Sequence, residues 1–500
     1  MTFHDYFEIH FHKGIFESYL NAGWWAAVEL PNSSFLTSKS IKMLPSAAQQ
    51  LADLIVKAVK DIEADTAAQI PGGKTTDVNS PTVAPEEHLE VTPLRREALR
   101  ALKGATHQLL ATLMPAELRV RDLHSSYLET VTLDIVTRAR IADLIHASDP
   151  DSSMGGVHVS VLAKKAGMEP RKLTHVLRFL ALRNVFCELT PDHWANTRCS
   201  VPLRTDSPNT LWNALGHLRE ETALPAFVHL PDVLLHKEAD VALSWDPMQS
   251  AFQKYYEPGC DFFEFLARSK DGYRAERFGK TMIELSRFAG TKETHYRGYD
   301  WKKLGPNGTL IDVGGGLGGP AYALAACLPG WKIVVQDRAE VVKSGKANYQ
   351  EIGSTANLEF EQADFFKEQP AHRIQGADAY FLRHIRHDWP AKTCVQILTH
   401  LRKAAKPTSR LLVAETKVGP ALVDRESPIL SNGGMAAASS HTVNLSMLAT
   451  LNAEERSTQQ FADIFLRAGW ILDSVSPLMT FVDRFIFEAV PDPSWKEGRE

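Results

Sequence analysis

Apolar positions recur at helical spacing over much of residues 46–289, and from Tyr299 onward they gather into short runs separated by helical stretches. SAAQQLADLIVKAVKDIEAD (46–65) places its apolar residues at i, i+3, i+4 and i+7, which predicts a helix with Ser46 as its N-cap. Residues 67–93 break that pattern with Pro, Gly, Thr and Ser and predict an exposed loop. Helical periodicity returns over Leu94–Met114 and Tyr127–Ala147. Val157–Pro202 predicts helix, turn, helix and a two-stranded wing, with Gly167 ending the first helix, Pro170 opening the second and a turn at Thr190–Asp192. Residues 207–289 are helical and rich in aromatics. The runs TLIDV, KIVVQD, LEFEQAD, ADAYFLRH, RLLVAE, ILDSVSP and FIFEAV then alternate with helices, the pattern of a doubly wound α/β sheet. The expected divisions are an extension without clear periodicity (1–44), a helical winged-helix region (45–205), an aromatic lid (206–290) and a cofactor-binding α/β domain (291–500).

The stretch TLIDVGGGLGG (309–319) reads as a buried strand feeding a glycine turn, and the PAYALAACLPG that follows is a helix. Gly314, Gly316 and Gly319 satisfy GxGxxG, which suits a dinucleotide. Asp312 shifts the choice. A carboxylate beside a pyrophosphate would repel it, whereas S-adenosylmethionine carries an ammonium and a sulfonium and no phosphate. Asp337 ends the next strand about 20 residues past the first glycine, where an acid accepts ribose hydroxyls. Asp312, Asp337, Asp364, His384, His387 and Glu415 all fall at or just past strand ends, the edge where such sheets bind ligands.

Composition narrows the partners. A net charge of −5 over 500 residues leaves no overall electrostatic footprint for nucleic acid or anionic lipid. Arg171, Lys172, Arg178 and Arg183 could contact phosphates if the winged helix bound DNA. The apolar Leu173, Val176, Leu177, Leu180 and Leu182 on the same helix favour a packing or dimerisation module. The five cysteines lack a CxxC pair, so neither a disulfide framework nor a zinc site is expected. His4, His10 and His12 have no companion ligands and do not predict a metal site. No apolar run approaches the ~18 residues of a membrane span, and no secretory leader pattern opens the chain; a cytoplasmic protein is the expectation.

YFLRHIRHDWPAKTCVQIL sets His387-Asp388-Trp389 between a strand and a helix. A histidine at that crevice can take a proton from a bound phenol, and Glu415 or Glu455 could fix its tautomer. The set GTLIDVGGGLGG, VVQD, QADFF, FLRHIRHDW, LLVAE and NAEERS, in this order over residues 46–490, resembles the plant and fungal O-methyltransferases of the caffeic-acid type, and most of all the fungal branch. The resemblance implies a Rossmann-like methyltransferase sheet behind a winged-helix dimerisation domain, and metal-independent methyl transfer to a small aromatic hydroxyl compound. It implies His387 as general base with Glu415 and Glu455 as its partners. S-adenosylmethionine would be held by Asp312, Gly314, Gly316, Asp337 (ribose), Asp364 and Phe365 (adenine) and Arg383. Phe278, Met282 and Met447 would line the acceptor pocket, and a homodimer is implied. Two departures stand out: His384 replaces the tryptophan usual in plant members, and the segment from Met447 to Glu455 is about one residue shorter. The rival readings are an NAD-dependent oxidoreductase using the glycine loop, and a winged-helix DNA-binding regulator.

Overall fold

Ser46 opens the first helix as expected, its hydroxyl accepting from the Gln49 N–H at 3.2 Å. The computed structural model describes residues 45–286, 296–424 and 426–496. The expectations for residues 1–44 lie outside the described residues, and Ser46–Glu500 form one compact unit. Helix Ala47–Gln69 packs on helix Pro93–Leu113. The buried Asp65 fixes their register by accepting from Arg95 Nε and Thr92 Oγ1, each at 2.5 Å. Between them the chain runs without regular structure except for one short turn at Pro85–His88. The single helix expected over 127–147 is two, Tyr127–Arg138 and Ile141–Ser148. Arg140 at φ 53° takes the left-handed conformation and ends the first run. Helix Ala116–Ser125 was not foreseen.

The next segment is a winged helix with one strand more than expected. β1 (Val157–His158), β2 (Phe186–Thr190) and β3 (His193–Asn196) form an antiparallel sheet in the order β1-β3-β2, beside helices Val159–Ala166 and Pro170–Ala181. Gly167 caps the first helix at φ 68°, where a Cβ would be strained. Leu173, Leu177 and Leu180 are buried against Phe186 and Trp194, so the apolar face of the second helix is used in packing. Two of the four candidate phosphate contacts are engaged in ion pairs: Arg178 meets Glu188 at 2.6 Å, and Arg183, just past the helix, meets Glu129 at 2.7 Å.

Seven further strands form the main sheet: β4 (Gly308–Val313), β5 (Trp331–Asp337), β6 (Leu358–Gln362), β7 (Ala379–Arg383), β8 (Arg410–Thr416), β9 (Trp470–Pro477) and β10 (Arg484–Pro491). The order is β6-β5-β4-β7-β8-β10-β9, parallel through β8 and antiparallel across the last two pairs. Ile311, Val313, Leu382 and Val413 pack on one face against Cys394, Ile397, Phe461 and Phe465. Leu310, Phe381, Leu412 and Ile486 pack on the other against Ala321, Leu324 and Tyr296. Strand order reverses between β4 and β7, and a crevice opens at such a switch point. Among the described residues no helix is long and apolar enough to cross a membrane.

Candidate active site

The glycine loop after β4 contains two kinds of glycine. A Cβ on Gly314 would come within 2.5 Å of Ile385 Cδ1, and one on Gly315 within 2.5 Å of Asp312 Oδ2, so both are needed for packing. A Cβ on Gly316 or Gly319 would meet nothing within 4 Å; these two border open space where a ligand can approach the backbone. Asp337, at the end of β5, holds this loop: Oδ2 accepts from Gly316 N at 2.9 Å and Oδ1 from Arg338 N at 2.8 Å. Burial raises its pKa above the usual carboxylate value, against the two backbone donors.

Asp312 is 1% exposed, and its Oδ2 has no hydrogen-bond partner. Burial pushes its pKa up to about 7, with the Arg383 guanidinium pulling the other way. A buried carboxylate with an unpartnered oxygen at a strand end fits a ligand that brings an ammonium group. Phe365 packs on Phe366 and Trp389, with ring centroids 4.6 and 6.4 Å apart, and forms a wall beside Gly314. Asp364 is more open, half-exposed and 3.4 Å from Lys367 Nζ. The sheet thus brings Asp312, Gly314, Gly316, Asp337, Phe365 and Arg383 to a single edge.

His387 lies in a short turn, Arg386–Asp388, just past β7. Its Nδ1 is 2.7 Å from Glu455 Oε1 and 4.0 Å from Glu415 Oε2, while Nε2 is 3.5 Å from Asp388 Oδ1. Glu415 accepts from the Ile385 and Arg386 N–H groups at 3.2 and 3.0 Å, which anchors the turn to the end of β8. Glu455 is fixed by its own N–H, which donates to Asn444 Oδ1 at 2.8 Å. Arg456 donates to the Arg386 and Trp389 carbonyls at 2.6 and 2.7 Å and clamps the turn from behind. Burial works against the His387 imidazolium, but Asp388, Glu455 and Glu415 together outweigh it and hold the pKa up to about 10. Burial pushes Asp388 up to about 7, partly offset by His387.

The donor atoms of His387, Glu415 and Glu455 lie within 4.8 Å of one another, a spacing that also suits a divalent cation. The 2.7 Å contact between Nδ1 and Glu455 argues for a hydrogen bond, because ligands bound to one cation at about 2.1 Å stay roughly 3 Å or more apart.

On the acceptor side, Phe278 and Met447 meet in one apolar cluster with Phe227, Tyr256 and Phe263. Phe263 reaches the turn itself, its ring centroid 6.4 Å from that of Trp389. Met282 is not brought to this cluster. Arg277, Thr281 and Glu284 are buried and occupy the inward face of helix Tyr273–Ser286, which rotates Met282 outward to 40% exposure. Sequence reasoning assigned no role to Asp388, Trp389, Asn444 or Arg456. The HDW and EERS runs contained three of the four, and nothing around Asn444 marked it.

A profile of the O-methyltransferase domain matches residues 227–471. The 3-O-methyltransferase 2 of Phanerochaete chrysosporium is 31% identical over 400 residues, covering 75% of this chain and 83% of that protein. The chain belongs to the O-methyltransferase family. The O-methyltransferase tpcA of Aspergillus fumigatus is 29% identical over 458 residues, covering 83% of this chain and 92% of the relative. Among solved structures, an O-methyltransferase from neocarzinostatin biosynthesis, in complex with S-adenosyl-L-homocysteine and 1,4-dihydroxy-2-naphthoic acid, superposes with a TM-score of 0.53. It shares 22% identity and covers 73% of this chain and 96% of its own, a likeness of fold. The Rossmann-like sheet belongs to an O-methyltransferase, as expected, and the rival reading of an oxidoreductase gives way.

Proposed function

We propose that this O-methyltransferase methylates a phenolic hydroxyl of a small aromatic molecule, with His387 as the base that takes the hydroxyl proton. The observation that carries the reading is the 2.7 Å bond from His387 Nδ1 to Glu455, which leaves Nε2 as the proton acceptor. S-adenosylmethionine is the methyl donor, and it supplies an activated methyl group on a sulfonium. Asp337 and Gly316 would hold its ribose end, Phe365 its adenine, and Asp312 and Arg383 its amino-acid end. Glu455 fixes the imidazole ring, Glu415 positions the turn that carries it, and both steady the positive charge that His387 acquires. Phe278, Phe263, Trp389 and Met447 shape an apolar slot for an aromatic ring and exclude water from the proton transfer.

The elevated pKa of His387 gives this reading a pH signature. A base acts in its neutral form, so a raised pKa moves the rising limb of activity to higher pH. With no ligand bound that limb lies well above the ordinary histidine value of 6.5, towards about 10. A cationic cofactor beside three carboxylates lowers the His387 pKa. The expected result is a kcat/KM for the acceptor that rises with pH above 7, and rises at lower pH when the cofactor is saturating. A profile flat from pH 6 to 9 would count against a titrating histidine base.

We further propose that two copies associate through the helical N-terminal region, with residues 45–205 as the dimerisation domain. Leu110, Leu113, Leu118, Val120, Leu123, Tyr127 and Val131 are all exposed over three consecutive helices, a concentration of apolar surface that water does not favour. Light scattering is expected to give twice the 55.6 kDa chain mass. A monomer at micromolar concentration would remove the proposal.

A further inference from the structure

Arg484 opens β10 in the segment DRFIFEAV, which sequence reasoning treated only as a strand. Strand register shows what it joins. Asp312 pairs with Phe381, Arg383 with Ala414, and Thr416 with Arg484. Side chains two residues apart share a face, so Asp312, Arg383, Thr416 and Arg484 project from one face at the ends of four adjacent strands. Glu415 projects from the opposite face, towards His387.

The Nε and Nη1 atoms of Arg484 are sealed from solvent without a hydrogen-bond partner, and so is Asp312 Oδ2. Burial, with the Arg383 guanidinium acting in the same direction, lowers the Arg484 pKa to about 9. Glu415 and Glu455 act on it from a distance, but Glu455 bonds to His387 and Glu415 to the backbone of the catalytic turn. A buried cation beside a second cation, with no anion bonded to it, is costly unless something completes it. The edge therefore presents a carboxylate on β4, beside the switch point, and two guanidinium groups on β7 and β10. An α-amino acid matches that order, its ammonium towards Asp312 and its carboxylate shared between the two arginines.

We propose that Arg484, acting with Arg383, receives the α-carboxylate of the cofactor's methionine moiety while Asp312 receives its ammonium. The inference rests on S-adenosylmethionine as cofactor and is independent of the base assignment, because its test reads affinity and not turnover. Planar guanidinium donors bind a carboxylate in paired hydrogen bonds, which a lysine cannot reproduce fully.

The test is calorimetric titration of the full chain with S-adenosylhomocysteine and with 5′-methylthioadenosine, which keeps the nucleoside and thioether but lacks the amino acid. Arg484→Leu is expected to weaken S-adenosylhomocysteine by about 10- to 100-fold and to leave 5′-methylthioadenosine unchanged. Arg484→Lys is expected to recover part of the loss. Removing an unpaired buried charge is not expected to lower the thermal midpoint. Equal losses for both ligands would overturn the proposal in favour of a purely structural arginine. Unchanged affinity for both, with weaker binding of a carboxylated phenol such as 1,4-dihydroxy-2-naphthoate, would overturn it in favour of an acceptor carboxylate.

Discussion

Replacing His387 with alanine is expected to lower kcat by about 10²–10⁴-fold and to leave S-adenosylhomocysteine affinity unchanged. The range is that of a positioned general base, about 2.7–5.4 kcal/mol in barrier height. The residual rate is the part that alignment of the acceptor with an already activated methyl group supplies without proton removal. Cofactor affinity is the right control because Asp337, Gly316 and Phe365 do not touch His387, whereas Glu455, Glu415 and Asp388 surround it. The variant removes the titrating imidazole, so it loses the alkaline rise in activity. Steady-state rates on a panel of phenols, with and without the substitution, settle the matter. Turnover within about tenfold of the parent at pH 7 falls below the range for base catalysis and would remove His387 from that role. Glu455→Gln should fall between the two enzymes, since it keeps a hydrogen-bond partner for Nδ1 and loses the charge.

Much of this site was legible because chemistry and strand ends coincide. IDVGGG, VVQD and RHDW each place a candidate residue at or just past the end of a short apolar run, and parallel strands bring their C-terminal ends to a common edge. His387 and Glu455 are 68 residues apart yet lie 2.7 Å from each other. Pattern alone could offer Glu415 and Glu455 only as equal candidates. The structure separates them: Glu455 bonds to the imidazole and Glu415 bonds to the turn. Other features were hidden for identifiable reasons. Arg484 sits in an antiparallel strand, so its functional edge is the start of the run and not its end. That direction followed from spacing, since the six residues from Leu478 to Asp483 are too few for a parallel crossover. Met282 was assigned through the family resemblance, but Arg277, in a buried ion pair with Glu221, and Glu284, which accepts from the Ala214 N–H, hold the inward face together with the buried Thr281. The break at Arg140 leaves no trace in hydrophobic periodicity, because the residues on either side keep their apolar spacing.

The second large effect is expected at Asp337, where alanine should weaken S-adenosylmethionine by about 100-fold or more. Each hydrogen bond to a charged acceptor contributes about 1.5–3 kcal/mol, and a ribose diol offers two donors to one carboxylate. In the structure those oxygens already accept from Gly316 N and Arg338 N, so the same side chain orders the glycine loop and presents lone pairs to the crevice. The two roles separate by substitution. Asp337→Ala loses both and leaves the Gly316 N–H without its partner, which costs a further ~1–3 kcal/mol of stability if no water replaces it. Asp337→Asn keeps an oxygen for Gly316 and the volume of the side chain, so its fold should melt near the parent while its cofactor affinity still drops. Burial raises the pKa of Asp337, and the ionised form is the one that accepts. Cofactor affinity should therefore decline on acidification at a pH above that of an ordinary aspartate, near 3.9. Calorimetric titration across pH reads the affinities and thermal melting reads the stability, and an unchanged dissociation constant in Asp337→Asn at neutral pH would dismiss the ribose role.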